Sequence, residues 1–182
     1  MNQTPETVVL LAADGAIIGS APKATVHTTD TPLHLAFSCH VFDEAGRVLV
    51  TRRALNKKTW PGVWTNSLCG HPAPNEDTEL AIVRRAEQEL GLALTDVRMA
   101  LPDFRYRAVD ASGIVENEIC PVFTARAVGE FSPAADEVAE FAWLEPAQLR
   151  AAVAAAPFAF SPWLGWQLAA WQGDYSAPPA TA

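Results

Sequence analysis

The chain has 182 residues, 49% of them hydrophobic, and a formal net charge of −8 at pH 7. That length and hydrophobic share support one packed domain over 1–182 and exclude a disordered polypeptide. The acidic balance excludes nucleic acid as the main partner, which would select a broad basic surface, but leaves room for a few local cations to hold a small anion.

The N-terminal stretch MNQTPETVVLLAADG has no basic leader and only a short apolar run, so it reads as a strand and not a targeting peptide. VVLLAADGAIIGSA reads as a hairpin about Asp14-Gly15. LHLAFSCHVF alternates, with Leu33, Leu35, Phe37, Cys39 and Val41 on one face and His34, Ala36, Ser38 and His40 on the other. DEAG then turns the chain into the strand RVLVTRRAL. TELAIVRRAEQELGL reads as a helix with Leu80, Val83, Ala86 and Leu90 at helical spacing and Gly91 at its end. DFRYRAV and IVENEICPVFTAR read as strands joined by DASG, and EVAEFAWL as one more. EPAQLRAAVAAA begins a helix with Pro146 in its first turn; SPWLGWQLAAW begins another, with Ser161 as cap and Pro162 in first position. The tail, 175–182, is expected to fray. The order is that of an α/β protein with mixed sheet and hairpins around a few helices.

No run approaches membrane-spanning length. Cys39, Cys69 and Cys120 are odd in number and far apart, which argues against a disulfide framework and for the reducing cytoplasm.

Glu116 and Glu118 stand two apart on a strand and so share a face, where their mutual repulsion calls for a metal, an arginine or bulk water. With His27, His34 and His71 they make a donor set suited to Zn²⁺, Mn²⁺ or Fe²⁺ more than Ca²⁺. The plainer reading makes His34 a solvent-facing strand residue and the two glutamates the wet face of an edge strand. In TNSLCGHP, Cys69 and His71 flank Gly70, which is expected to permit a tight backbone there. The pair fits a nucleophile with its base, half a metal site or ordinary loop chemistry. Cys39, Cys120 and His40 read as structural.

Gly70 to Leu92, GHPAPNEDTELAIVRRAEQELGL, resembles the Nudix box, with Gly70, Glu76, Arg84, Glu89 and Gly91 in the motif's order. Arg85 and Gln88 stand where that motif carries glutamates, so only Glu89 remains of its carboxylate cluster, and water activation for hydrolysis is weakened. Together with HLAF, TRRALNKKTWPGVWTNSLCGHP, PDFRYRA, GIVENEICPVF and FSPW, the chain from about Val8 to Trp163 resembles the type 1 isopentenyl-diphosphate isomerases of the Nudix superfamily. The resemblance implies a Nudix-type fold with an additional N-terminal hairpin. It also implies interconversion of isopentenyl and dimethylallyl diphosphates through a tertiary carbocation-like intermediate, in isoprenoid precursor synthesis. One divalent metal (Mn²⁺, Zn²⁺ or Mg²⁺) falls on His27, His34, His71, Glu116 and Glu118. A second Mg²⁺ falls between the substrate diphosphate and Glu89. Lys23, Arg53, Lys57 and Arg85 are implied to grip the diphosphate, Cys69 and Glu118 with Tyr106 to handle protons, and Trp163 to face the carbon chain. The expected partner is a small isoprenoid diphosphate, with no membrane and no nucleic acid, and a monomer is favoured with a dimer left open. The alternatives are a Nudix diphosphohydrolase and a non-catalytic metal-binding domain.

Overall fold

The computed structural model describes residues 6–180. Strands β1 (Thr7–Leu11) and β2 (Ile17–Pro22) form the N-terminal hairpin, and Gly15 adopts a φ of +88° in its turn, as the sequence required. Helix α1 (Lys23–Val26) leads to β3 (His34–Leu35), β4 (Phe37–Phe42) and, after the turn at 43–46, β5 (Val48–Arg53). The chain continues through β6 (Trp64–Thr65), β7 (Leu68–Gly70), helix α2 (Thr78–Leu90), β8 (Ala93–Leu101), β9 (Arg105–Val109), β10 (Val115–Ile119), β11 (Val122–Val128) and β12 (Val138–Leu144). Helices α3 (Pro146–Ala155) and α4 (Pro162–Ala170) close it. Strand β8 had no expectation; its residues sit on an edge, half exposed, without a regular alternation.

One sheet runs β2-β1-β3-β10-β9; the other runs β12-β5-β4-β11-β8, with β6 on β5 and β7 on β4. Two stretches expected as single strands, 33–42 and 114–126, each serve both sheets. They lie parallel, pairing β3 with β10 in one sheet and β4 with β11 in the other. Ala36 breaks the first and Cys120-Pro121 the second. Pro121 has no N–H to give, so the ladder stops there. The Ala36 N–H donates to the Ile119 carbonyl at 2.9 Å and the Ser38 N–H to that of Pro121 at 3.1 Å, carrying the pairing across the break.

The second sheet is covered on both faces. Phe37, Leu49 and Phe123 pack with Ile82 and Leu90 of α2. Phe42, Val48 and Val50 pack with Leu149 of α3, Leu164 of α4 and Tyr175. Every residue of β4 is therefore buried, and neither of its faces meets solvent. Helix α2 is capped by Asp77, whose carboxylate accepts from the N–H groups of Glu79 and Leu80, and it ends at Gly91 in the left-handed region. Its inward face differs from the expected one: Ala81, Ile82, Arg85, Ala86, Glu89 and Leu90 are buried, while Leu80 is 66% and Val83 37% exposed. The helix is turned to aim Arg85 and Glu89 inward.

Ser161 makes no capping bond to α4, because its hydroxyl is engaged with that of Thr65 at 2.8 Å. The tail expected to fray is instead seated: Tyr175 is buried, and Arg126 Nε donates to the Pro178 carbonyl at 2.7 Å. Positions 1–5 and 181–182 lie outside the described residues. Among the described residues no helix is long and apolar enough to cross a membrane.

Candidate active site

The three histidines arrive from separate places: His27 just past α1, His34 on β3 and His71 just past β7. Strand β10 brings Glu116 and Glu118, with Glu118 in register beside His34. The ring centroids lie 5.2 Å (His27–His34), 5.8 Å (His27–His71) and 5.1 Å (His34–His71) apart. His27 Nε2 is 3.0 Å from Glu116 Oε2, while His34 Nε2 and His71 Nε2 lie 3.4 and 3.3 Å from Glu118 Oε1. One donor atom each from His27, His34, His71 and Glu118 falls within 4.8 Å of the others.

The polar bookkeeping is the test of what belongs there. His27 Nε2, His34 Nε2, His71 Nδ1 and Glu116 Oε2 are all buried without a hydrogen bond of sound geometry. Buried polar atoms are otherwise nearly always paired, so His27 Nε2, His34 Nε2 and Glu116 Oε2, left unpaired among the clustered side chains, need a common partner; His71 turns Nε2, not its orphaned Nδ1, toward Glu118. His34 Nδ1 lies 2.9 Å from the Pro32 carbonyl, which can only accept, so Nδ1 carries a proton; burial pushes this imidazole down, but Glu118 beside Nε2 outweighs it and raises the group above its ordinary value. Burial pushes the His71 imidazole down, with Glu118 offsetting this only in part, so it stays in the neutral, ligating form. Burial pushes the Glu118 carboxyl up, but the contacts with His34 and His71 outweigh it and hold the group well below the usual range. Three imidazoles with two carboxylates have the donor set of a divalent-metal site.

Beside this cluster opens a cavity of about 350 Å³. Of the residues expected in the site, all but His34 line it; His34 lies fully buried behind the wall. Cys69, on β7 opposite Ser38, donates its S–H to Asn66 Oδ1 at 3.3 Å. Burial pushes this thiol up to about 12, so it is protonated near neutrality. Tyr106 on β9 pairs in register with Glu118, and burial raises its phenol well above the usual range. The Trp163 indole stacks on Tyr106 at 5.6 Å and meets Trp60 edge-on at 5.1 Å; its N–H donates to Thr65 Oγ1 at 2.9 Å. Arg53 Cζ stands 5.9 Å from the Trp163 ring, and its guanidinium is braced by the Thr59 carbonyl and hydroxyl.

The four expected cations line the same cavity, and three of them are held by carboxylates. Glu6 bonds Lys23 at 2.6 Å and Arg85 at 3.0 Å; Glu137 bonds Lys57; Glu89 bonds Arg85. Burial alone would lower Arg85, but Glu89, Glu6 and Glu137 together hold it above its ordinary value. Burial pushes the Glu89 carboxyl up, and Arg85 does not fully offset it. Glu6 and Glu137 were not foreseen: they belong to no motif, and only the fold brings them to the cations. Asn66, which fixes Cys69 and accepts from the Trp163 N–H at 3.1 Å, was likewise missed. Gly70 does not adopt a positive φ. Its need is for room: a Cβ there would lie 2.8 Å from Phe37 Cζ and 3.2 Å from Arg85 Cγ.

Residues 32–164 match the NUDIX domain family. Over 168 residues the chain is 67% identical to an isopentenyl-diphosphate Delta-isomerase of Clavibacter michiganensis subsp. michiganensis, covering 92% of this chain and 87% of that protein. It belongs to the isopentenyl-diphosphate Delta-isomerase family. Other members match comparably: that of Leifsonia xyli subsp. xyli is 63% identical over 172 residues, covering 93% of each chain. The isomerase of Frankia alni is 58% identical over 177 residues, covering 97% of this chain and 90% of its own. Among solved structures, a protein of Deinococcus radiodurans superposes with a TM-score of 0.71 at 17% identity, over 92% of this chain and all of that one. A MutT NUDIX hydrolase of Burkholderia pseudomallei gives 0.51 at 24% identity, over 62% of this chain and 83% of that one. At those identities the likeness extends to the fold of this isomerase-family chain alone.

Proposed function

We propose that the protein interconverts isopentenyl and dimethylallyl diphosphates by adding one proton to the substrate and removing another. The observation that carries this reading is a single aromatic-walled cavity with proton-carrying groups, Cys69, Glu118 and Tyr106, and a rim of cations. In the forward direction an acid delivers H⁺ to the terminal alkene carbon. The π electron pair forms the new C–H bond and leaves positive charge on the tertiary carbon. A base then takes a proton from the neighbouring methylene, and that C–H pair becomes the new double bond. Nothing is oxidised, and no water is consumed.

Cys69 and Glu118 are assigned to opposite sides of the alkene, with Tyr106 beside Glu118 to pass a proton. An unactivated alkene is a poor base, so the acid must be firmly placed and the site dry. Trp163 meets the tertiary centre with its ring face, an attraction of about 2 kcal/mol or more when desolvated. Trp60 and Tyr106 exclude water around it. Lys23, Arg53, Lys57 and Arg85 receive the diphosphate, which displaces the carboxylates that neutralise Lys23, Lys57 and Arg85 in the free protein.

His27, His34, His71, Glu116 and Glu118 would hold a divalent ion, which would supply the positive charge that lets two carboxylates share one strand face and would tune the acidity of Glu118. Three imidazoles favour Zn²⁺ or Mn²⁺ over Mg²⁺ there. Glu89, with Glu137 beside it, would hold a separate Mg²⁺ and so help offset the charge of the diphosphate. A hydrolase reading meets Arg85 and Gln88 where water activation asks for carboxylates.

The experiment is incubation of the purified, metal-loaded protein with isopentenyl diphosphate in heavy water. Deuterated dimethylallyl diphosphate is expected. Release of orthophosphate without a deuterated isomer overturns the proposal in favour of hydrolysis.

A further inference from the structure

A line of buried polar side chains that the proposed chemistry does not use ends on the reacting sulfur. Tyr175 Oη lies 2.7 Å from His40 Nδ1, and His40 Nε2 lies 2.9 Å from Gln167 Oε1. Gln167 Nε2 donates to Ser38 Oγ at 2.8 Å, and Ser38 Oγ lies 3.2 Å from Cys69 Sγ. Ser38, His40 and Gln167 are fully buried and Tyr175 nearly so. Four such groups cost more to bury than apolar residues of like volume unless each bond is made.

The polarity of the line follows from its members. An amide oxygen only accepts, so His40 must carry its proton on Nε2 to meet Gln167 Oε1. Burial pushes His40 down to about 4, so near neutrality it has no second proton, and Nδ1 accepts from the Tyr175 hydroxyl. Ser38 accepts from Gln167 and keeps its own proton to donate. At Cys69 the single S–H is already given to Asn66 Oδ1. The Asn66 orientation is itself fixed, because its Nδ2 donates to the carbonyls of Cys39 (3.2 Å) and Leu68 (2.7 Å). The sulfur can therefore only accept from Ser38. The thiol is held at two points, by an acceptor it gives to and a donor it takes from, and the donor remains after the proton has left. Ser38 Oγ also lies 3.5 Å from Cys120 Sγ, whose S–H can fill the remaining lone pair of that oxygen.

We propose that Ser38, Gln167, His40 and Tyr175 form a one-way positioning relay that aims the Cys69 sulfur into the cavity, so that the C-terminal segment helps set the placement of the reacting thiol. This rests on the reading of Cys69 as a proton-handling group. Ser38 touches the sulfur; Gln167, His40 and Tyr175 act through it and are positioning residues. The reverse polarity, with the Gln167 amide turned round, would spend the Ser38 proton on Gln167 and leave the sulfur without a donor. It would also place the His40 proton on Nδ1.

Two measurements on the full-length, metal-loaded enzyme test the relay. In ¹⁵N-histidine spectra at neutral pH, His40 is expected as the neutral Nε2–H tautomer; an Nδ1–H tautomer or an imidazolium overturns the proposal. In steady-state kinetics with isopentenyl diphosphate, Ser38→Ala is expected to lower kcat by about tenfold or more with KM changed less than about twofold, the signature of loss confined to the transition state. Tyr175→Phe, which keeps the ring packing and removes one oxygen, is expected to lower kcat by a smaller factor with KM likewise held. Gln167→Leu should fall between them, and if it does not fold the other two decide. Unchanged kcat in both Ser38→Ala and Tyr175→Phe, with Cys69→Ala inactive, overturns the relay alone. Full activity in Cys69→Ala overturns the reading beneath it.

Discussion

Cys69 and Glu118 reach the cavity from different sheets, so each can be altered while the other stays in place. We expect Cys69→Ala and Glu118→Gln each to lower kcat by about 10²- to 10⁴-fold, the usual worth of a positioned acid or base, with the far-UV circular dichroism spectrum unchanged. Wild-type turnover in either variant removes that residue from the proton transfers. At this scale the sequence is a poor guide by itself. His27, His34, His71, Glu116 and Glu118 follow no ligand spacing, because their assembly depends on β3 and β10 lying in register and on His71 folding in from the other sheet. Resemblance selected them; their residue types alone left His34 as a surface histidine. Glu6, Glu137 and Asn66 carried no signal, since each matters only through a neighbour remote in the chain.

Helix α2 was legible in its ends and only in part in its facing. Asp77 and Gly91 mark its limits by local chemistry, which sequence reports directly. The spacing of Leu80, Val83, Ala86 and Leu90 placed Ala86 and Leu90 correctly and Leu80 and Val83 wrongly, because hydrophobic pattern assumes that charged residues turn outward. Here Arg85 and Glu89 are drawn in by the cavity, and Leu80 and Val83 are left in water. Leu80→Gln should therefore change stability by less than about 0.5 kcal/mol, whereas Ile82→Ala, in the packed core, should cost about 2–5 kcal/mol. Urea titrations of both variants measure this, and comparable losses would contradict the observed facing. The same contrast explains the two broken strands. The strands expected over 33–42 and 114–126 are both present, but a break at Ala36 is invisible to a two-residue period, and at Pro121 the break follows from the missing N–H and not from the pattern.

Across the whole molecule, the proposed metal ligands come from both sheets and from the end of α1, so a bound ion would add a further link between parts already joined by backbone hydrogen bonds. Removing it with a chelator should lower Tm, and adding back Zn²⁺ or Mn²⁺ at about 100 times its Kd should restore roughly 2.7 kcal/mol; a Tm indifferent to both would exclude the site. His40 adds a pH dependence of its own. Buried and neutral, with Arg150 opposing its charging, it is pushed down to about 4 from an ordinary 6.5. The unfolded chain thus binds a proton here that the native state refuses, and stability falls as pH drops from about 6.5 towards 4. The loss is on the order of 3 kcal/mol by the shift quoted. His40→Gln should flatten that part of the Tm–pH curve, whatever its Tm at neutral pH; an unchanged slope would assign the acid sensitivity elsewhere.

The division of the site between two sheets has a mechanical side. Tyr106 and Glu118 belong to one, Cys69 and Arg53 to the other, and the contact of His71 with Glu118 spans the seam like the screw of a vice. A slip of one jaw by a fraction of an ångström would misalign the two groups proposed to carry protons, so a workpiece would be gripped only where the jaws agree.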